Sequence, residues 1–291
     1  MKLSKCFIFI FLTYSLFLTT GCREESGLLT IHVLPVGHGD ASIIRLPGGK
    51  TLMIDNGTPQ TAELIARYLK TIRVKQIDAL IITHAHDNHY GILSFLAKQV
   101  RIRNLYLNDI DHIRDINLIA ELEVLRRMGI EPQLLREGDE PALDPEVSVK
   151  ILHPSDSLSG DLNRDSIVTL LMFKNQTFLF PGDITPDVQK RIASDWPGNM
   201  PASFALLPHH GDTLDPLFVQ IVRPGIKIIS SGPSEYRLPK QETLDSFPEN
   251  LYRTDRDGVL IFQSDGKSLT RATGLMKKLK TLPPDAKTKP A

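Results

Sequence analysis

The stretch Thr83-His84-Ala85-His86-Asp87-Asn88-His89-Tyr90-Gly91 constrains this chain more than any other. Five of its nine side chains offer a lone pair to a metal: three imidazoles, a carboxylate and an amide. It follows Ile77-Asp78-Ala79-Leu80-Ile81-Ile82, an apolar run that reads as a buried strand. A polar cluster closing such a strand sits where an α/β sheet places its chemistry, at the carboxyl ends of strands. Three imidazoles this close are costly to bury without a ligand, and imidazole is a common partner of zinc-like ions. The competing reading, a histidine-rich surface turn, loses weight because further His and Asp clusters close other apolar runs.

Those runs organise the chain. Leu29–Leu34 alternates as a strand, and Ala41–Leu46 and Thr51–Asp55 form a hairpin turned by Pro47-Gly48-Gly49. Thr58-Pro59 opens a helix reaching about Lys70, with Leu64, Ile65, Tyr68 and Leu69 on its apolar face. Ile116, Ile119, Leu122, Leu125 and Met128 recur every three residues until Gly129, which predicts an amphipathic helix with that set inward. Strands at Val147–Leu152, Ser166–Phe173, Thr177–Phe180, Phe204–Leu207 and Ile226–Ser230 follow, with helices after Thr185-Pro186 and Asp215-Pro216. Leu238–Ser246 reads as helical, and Gly258–Gln263 with Ser268–Thr273 as a last hairpin. The expected fold is α/β, a single domain of two sheets packed face to face with helices outside.

With 34 basic and 34 acidic side chains among 291 residues, the chain lacks the overall charge of a strongly basic nucleic-acid binder. Its first residues read as a leader: Lys2 and Lys5, then an apolar run from Phe7 to Leu18, too short for a comfortable membrane span. Leu18-Thr19-Thr20-Gly21-Cys22 resembles a bacterial lipoprotein signal, with Cys22 lipidated at the mature N-terminus. The alternatives are ordinary cleavage with Cys22 unmodified, or an uncleaved anchor. Cys6 is the other cysteine, so the mature domain would hold no disulfide and a metal site free of thiols. The expected division is a signal peptide at 1–22, a linker at 23–28, one folded domain at 29–274 and a disordered tail at 275–291. The expected location is exported and lipid-anchored, on the periplasmic or extracellular face. No feature points to a protein partner.

Three polar clusters close three strands: residues 84–89, Gly182-Asp183 and His209-His210. Together they suffice for one or two divalent ions, about 3.5–4 Å apart if two. Asp183 is the natural bridge, because a carboxylate has two oxygens and an imidazole one free lone pair. A water held there has its pKa lowered to about 7, supplying metal-bound hydroxide for displacement at phosphorus.

The motifs carry a resemblance as a set. His84-Ala85-His86-Asp87-Asn88-His89 is similar to the HxHxDH signature of the metallo-β-lactamase superfamily. Val36–Ala41 resembles the VGQGDA motif of its ComEC/Rec2-like competence-protein branch, and Leu52–Gly57 that branch's LIDTG. Phe180–Asp183 resembles its LTGD, Pro208–Gly211 matches PHHG, and Tyr252–Gly258 resembles YRTDxDG. The resemblance spans about Leu29 to Thr273 and implies an αββα four-layer sandwich and a metal-dependent hydrolase. It implies that His84 and His86 bind one ion, His89 the other, and that Asp183 lies between them. Either His209 or His210 completes the coordination of the second ion, and Asp40 and Asp55 stand behind the ligands and orient them, or serve as turn formers beside glycine.

The chain departs from the pattern in three places. Asn88 stands at the signature's aspartate, with Asp87 one residue earlier; both are candidates for the second ion. The superfamily's midway histidine is absent, and Asn163 or Asp165 fills its place. Pro35 stands where the branch starts its first motif with Asp. His32, His38, His112 and His153 are weaker candidates, and Trp196 reads as a packing plug. Zinc is favoured over manganese. The expected substrate is a phosphoester, phosphodiester or nucleic acid. The alternatives are an envelope binding protein that has lost efficient catalysis, favoured by Asn88, and a β-lactam or other ester hydrolase.

Overall fold

A computed structural model describes residues 27–196, 201–233 and 236–272. The expected leader with Cys22, most of the linker and the tail from 275 lie outside the described residues.

The first strands are β1 (Leu29–Val33), β2 (Ser42–Arg45), β3 (Thr51–Ile54), β4 (Gln76–Ile77), β5 (Ala79–Ile81), β6 (Arg101–Ile102), β7 (Leu105–Leu107) and β8 (Pro132–Leu134). There follow β9 (Val147–His153), β10 (Val168–Phe173), β11 (Gln176–Phe180), β12 (Phe204–Leu206), β13 (Ile226–Ile229) and β14 (Leu251–Arg253), which form one sheet in the order β14-β13-β12-β11-β10-β9. The chain then returns, and β15 (Leu260–Ser264) and β16 (Leu269–Arg271) complete the other sheet, β16-β15-β1-β2-β3-β5-β7-β8. β4 and β6 pair separately.

Burial pattern explains the layers. Central strands of the first sheet are covered on both faces, so β3 reads TLMI with every residue buried. At the edge of the second sheet β9 alternates instead, with Val147, Val149, Ile151 and His153 inward. Leu52, Ile54, Ile81, Phe178, Phe180, Phe204 and Phe262 fill the space between the sheets. The Phe180–Phe204 and Phe204–Phe262 rings meet at 5.6 Å, the second pair edge-on.

Helices α1 (Ala62–Thr71), α2 (Asp87–Tyr90), α3 (Leu93–Gln99) and α4 (Ile116–Arg127) belong to the first half, and α1, α3 and α4 bury Ile65, Leu96 and Leu122 with the outer face of the first sheet. Of α5 (Pro186–Ser194), α6 (Pro216–Val222), α7 (Gln241–Asp245) and α8 (Thr254–Asp257), the first two pack Val188, Ile192 and Phe218 against the second sheet. The result is the αββα sandwich expected from the resemblance.

The inward face of α4 differs from expectation. Leu118, Leu122 and Leu125 are buried, while Ile116, Ile119 and Met128 are 77%, 45% and 43% exposed. A three-residue repeat drifts around a helix of 3.6 residues per turn, so it cannot hold one face over four steps. The helix starts where Asp115 accepts from the amides of Asn117 and Leu118.

β3 and β5 run parallel, as do β11, β12 and β13. Their carboxyl ends, from both sheets, come together at one rim.

Candidate metal centre

Each metal-ligating segment leaves a strand end held by side chain-to-backbone bonds. Directly after β3, Asp55 takes a left-handed backbone conformation (φ 55°) that aims its carboxylate at the segment following β5. That carboxylate accepts from the Thr83 amide and hydroxyl and lies against His89 Nδ1, all at 2.8 Å. Asn56 donates its amide to the His89 carbonyl and accepts from the Ile92 amide, so the loop is fastened at three points. Gly39 passes so close that a side chain there would strike the Asn88 carbonyl. At Gly182 (φ +59°), an added Cβ would lie 3.0 Å from the Cβ atoms of Thr83 and Ser166. Glycine there lets the second sheet bring Asp183 up to the first.

The four side chains His84, His89, His210 and Asp183 are buried, and they meet. Nε2 of His89, His210, His84 and His209 lie 3.3, 3.5, 3.7 and 3.9 Å from Asp183 Oδ2. His86 Nδ1 is 2.9 Å from His84 Nε2, and Asn88 Nδ2 is 3.2 Å from His210 Nε2. Asn163 Nδ2 stands 3.4 Å from His209 Nε2. His209 and His210 are consecutive left-handed residues (φ 48° and 53°), a conformation costing about 1–3 kcal/mol each outside glycine. The surrounding packing sustains it, and it brings both rings towards Asp183.

The two histidines differ. His210 is fully enclosed, with Nδ1 fixed 3.0 Å from the Ser230 carbonyl and 3.6 Å from Asp40 Oδ1. His209 keeps 30% of its side chain exposed and has Nδ1 3.3 Å from Asp212.

Two expected ligands are not brought in. Asp87 is exposed at the first position of α2. Successive helical residues turn by about 100°, so with Asn88 and His89 facing the cluster Asp87 faces out. Asn88, at the signature's acid position in sequence, is the residue of the two that faces the cluster. Asp165 is buried but committed to its own loop, accepting from the Ser159 amide and hydroxyl and the Gly160 amide. Asn163 is the member of that loop beside the site.

The hydroxyls were not anticipated. Thr83 Oγ1 is 3.0 Å and Ser166 Oγ 3.2 Å from His84 Nδ1, and Ser166 Oγ also accepts from the Asp183 amide. Their signal was present: each is a buried polar residue at the end of an apolar run, next to a ligand in sequence or space. His38, a weaker candidate, packs its ring 4.2 Å from that of His210. His32 is buried against the Tyr68 hydroxyl at 2.8 Å, His153 lies between Arg191 and the Arg164 carbonyl, and His112 is exposed beside Asp109.

Charge within the cluster is strongly coupled. Burial disfavours every ionised form, but His210 and His89 outweigh it at Asp183, whose carboxyl is held well below the usual range. Burial likewise opposes the imidazolium at His89, where Asp183 and Asp55 prevail and push the pKa well up. His210 is raised by Asp183 and Asp40 against the same penalty. At His84 burial and the neighbouring His89 win, and the ring is held neutral, ready to give a lone pair. Burial lifts Asp40 to about 6 despite His210 and His89.

A divalent cation fits this donor set. His89 Nε2 and Asp183 Oδ1 are buried without a well-aligned hydrogen bond, as is Asn163 Oδ1. His84, His89 and Asp183 each present a donor atom within 4.8 Å of the others, and so do Asp40, Asp183 and His210. Orphaned lone pairs converging on one point are costly unless an ion satisfies them.

The model of the Metallo-beta-lactamase superfamily matches residues 34–283. ComE operon protein 3 of Bacillus subtilis (strain 168) is 22% identical over 267 residues, 83% of this chain and 34% of the relative. The chain thus spans about a third of that protein's length. Among solved structures, CmlA, a diiron β-hydroxylase from Streptomyces venezuelae, superposes with a TM-score of 0.51 at 15% identity over 84% of this chain and 54% of that one. A CmlA variant gives the same TM-score at 16% identity with the same coverage of each chain. These structures share the fold, and the chain spans about half of each.

Proposed function

This chain belongs to the metallo-beta-lactamase superfamily, and from that premise we propose that it is a metal-dependent phosphoester hydrolase, acting on a phosphodiester such as a nucleotide or nucleic acid. The observation that carries the reading is the convergence of the His84, His89, His209 and His210 Nε2 atoms on a single buried oxygen of Asp183.

His84, His86 and Asp183 would hold one ion, and Asp183, His89, His210 and Asn88 a second. Zinc is favoured over manganese because imidazole dominates the set. Such an ion supplies Lewis acidity, lowering the pKa of water to about 7 and offsetting charge on a phosphoryl oxygen. The protein's own groups prepare the site. Asp55 keeps a proton on His89 Nδ1, and the Ser230 carbonyl does the same for His210, so that both Nε2 lone pairs face inward. Asp183, held ionised, contributes two oxygens in the centre of the cluster. Asn163 and the half-exposed His209 line the open side, where a phosphoryl oxygen has donors to meet.

The reading extends to location: Lys2, Lys5, the apolar run to Leu18 and Cys22 support export and a lipid anchor. Asn88 favours a second reading, a binding protein, since a neutral amide is a weaker ligand than carboxylate. Elemental analysis of the purified protein, followed by bis-(p-nitrophenyl) phosphate turnover with and without chelator, separates the two. The hydrolase reading expects bound metal and chelator-sensitive turnover restored by zinc or manganese. Bound metal with no chelator-sensitive turnover on any phosphoester would leave the binding protein.

A further inference from the structure

The rim of the sheets opposite the metal centre is basic, and most of its cations are unmatched. Strands β3 and β5 begin there, and an open cavity of about 760 Å³ has Lys50, Lys75, Lys98 and Arg101 on its wall, all exposed. Lys70 and Arg73, where α1 ends, are exposed on the same side. Several surface cations elsewhere have acids: Arg127 meets Glu123 at 3.1 Å, Lys150 Glu140 at 3.0 Å, Arg164 Asp187 at 2.8 Å and Lys174 Glu146 at 3.3 Å. Among the described residues, none of the six basic side chains on the rim makes an ion pair. The carboxylate in the cavity wall is Asp78, already engaged by the Thr51 amide and Gln76 and 3.9 Å from Arg103. In a chain with 34 charges of each sign, this clustering is a matter of placement.

The chain also enters the fold at this rim. Thr30 pairs with Arg45, and Arg45 with Thr51, so the start of β1 lies level with the start of β3. Three strand spacings of about 4.8 Å separate β1 from β5, roughly 14 Å in all. Gly27 is five residues from Cys22, a reach of at most about 18 Å. A lipid on Cys22, or an apolar segment retained before it, therefore brings this end of the molecule to the membrane.

We propose that the basic rim docks on an anionic lipid surface, which turns the metal centre away from the membrane and towards soluble substrate. The proposal rests on the envelope reading and is independent of the hydrolase reading. Basic side chains near an anionic leaflet each strengthen binding about fivefold.

The test is flotation of the full-length protein with vesicles of phosphatidylcholine alone or mixed with phosphatidylglycerol, titrating lipid to half retention. Wild type should need less of the anionic lipid, and raised salt should remove the difference. The K50Q/K75Q/K98Q/R101Q variant should lose roughly six-hundredfold of the anionic preference, with half retention on neutral vesicles, zinc content and unfolding midpoint unchanged. Equal retention by both vesicles, or a variant that keeps the preference, overturns the proposal. Retention on neutral vesicles and its loss in Cys22→Ser read the anchor separately. Tighter binding of duplex DNA than of anionic vesicles, lost in the same variant, would make the rim a nucleic-acid site and also overturn it.

Discussion

Replacing Asp55 with asparagine removes one charge and one acceptor from behind the metal centre and alters little else. Asparagine matches aspartate in shape and tolerates the left-handed conformation at this position, so the β3 turn survives. The carboxylate now takes the Thr83 amide, the Thr83 hydroxyl and His89 Nδ1 at 2.8 Å each. In Asp55→Asn the amide oxygen keeps one of these donors, while the NH₂ group facing His89 can only donate. His89 then accepts at Nδ1 and carries its proton on Nε2, the atom 3.3 Å from Asp183 that the ion needs. Losing such a partner behind a ligand costs about 10–100-fold in metal affinity, or about 1.4–2.8 kcal/mol, within the range for one charge-assisted hydrogen bond. The assay is zinc affinity by competition with a chromophoric chelator at neutral pH, alongside thermal unfolding of the metal-free protein. Zinc affinity equal to wild type in a folded variant refutes the tautomer reasoning.

Three further outcomes are expected. Asn88→Asp restores a charged ligand beside His210, so zinc per chain should rise, or the weaker site tighten by about tenfold or more; unchanged stoichiometry and affinity count against Asn88 as the deficient ligand. His210→Ala removes an enclosed imidazole and should abolish one ion's binding, whereas His209→Ala, at a half-exposed position, should change metal content less; the reverse order refutes the assignment. Burial, then Arg45, lowers His32 to about 3, and the unfolded chain titrates it near 6.5. The unfolded state therefore binds a proton that the fold refuses, so this contribution is complete above pH ~6.5 and falls by up to about 1.4 kcal/mol per pH unit towards pH ~3. His32→Leu should be less stable at neutral pH but show a shallower loss on acidification in urea melts; an equal slope contradicts it.

The residue types and their place at strand ends made His84, His86, His89, Asp183 and the His209-His210 pair legible without coordinates. A buried strand that stops in imidazoles has few physical uses, and that inference needs only local pattern. The layered α/β fold followed from alternation, turn glycines and helix starts for the same reason. Facing was harder to read. On α4 an every-three repeat put Ile116 inward although it is 77% exposed, because side-chain direction depends on accumulated helical rotation.

What tertiary structure alone decided is the aim of each polar group. A one-turn helix points Asp87 to solvent and Asn88 to the cluster, and a loop's own amides claim Asp165 and leave Asn163 at the site. Thr83, Ser166 and Ser230 support the ligands through contacts between segments far apart in the chain, such as Ser166 with His84 and Ser230 with His210. Sequence states which atoms can donate or accept, but distance and direction between two sheets are set only once their shared core is packed.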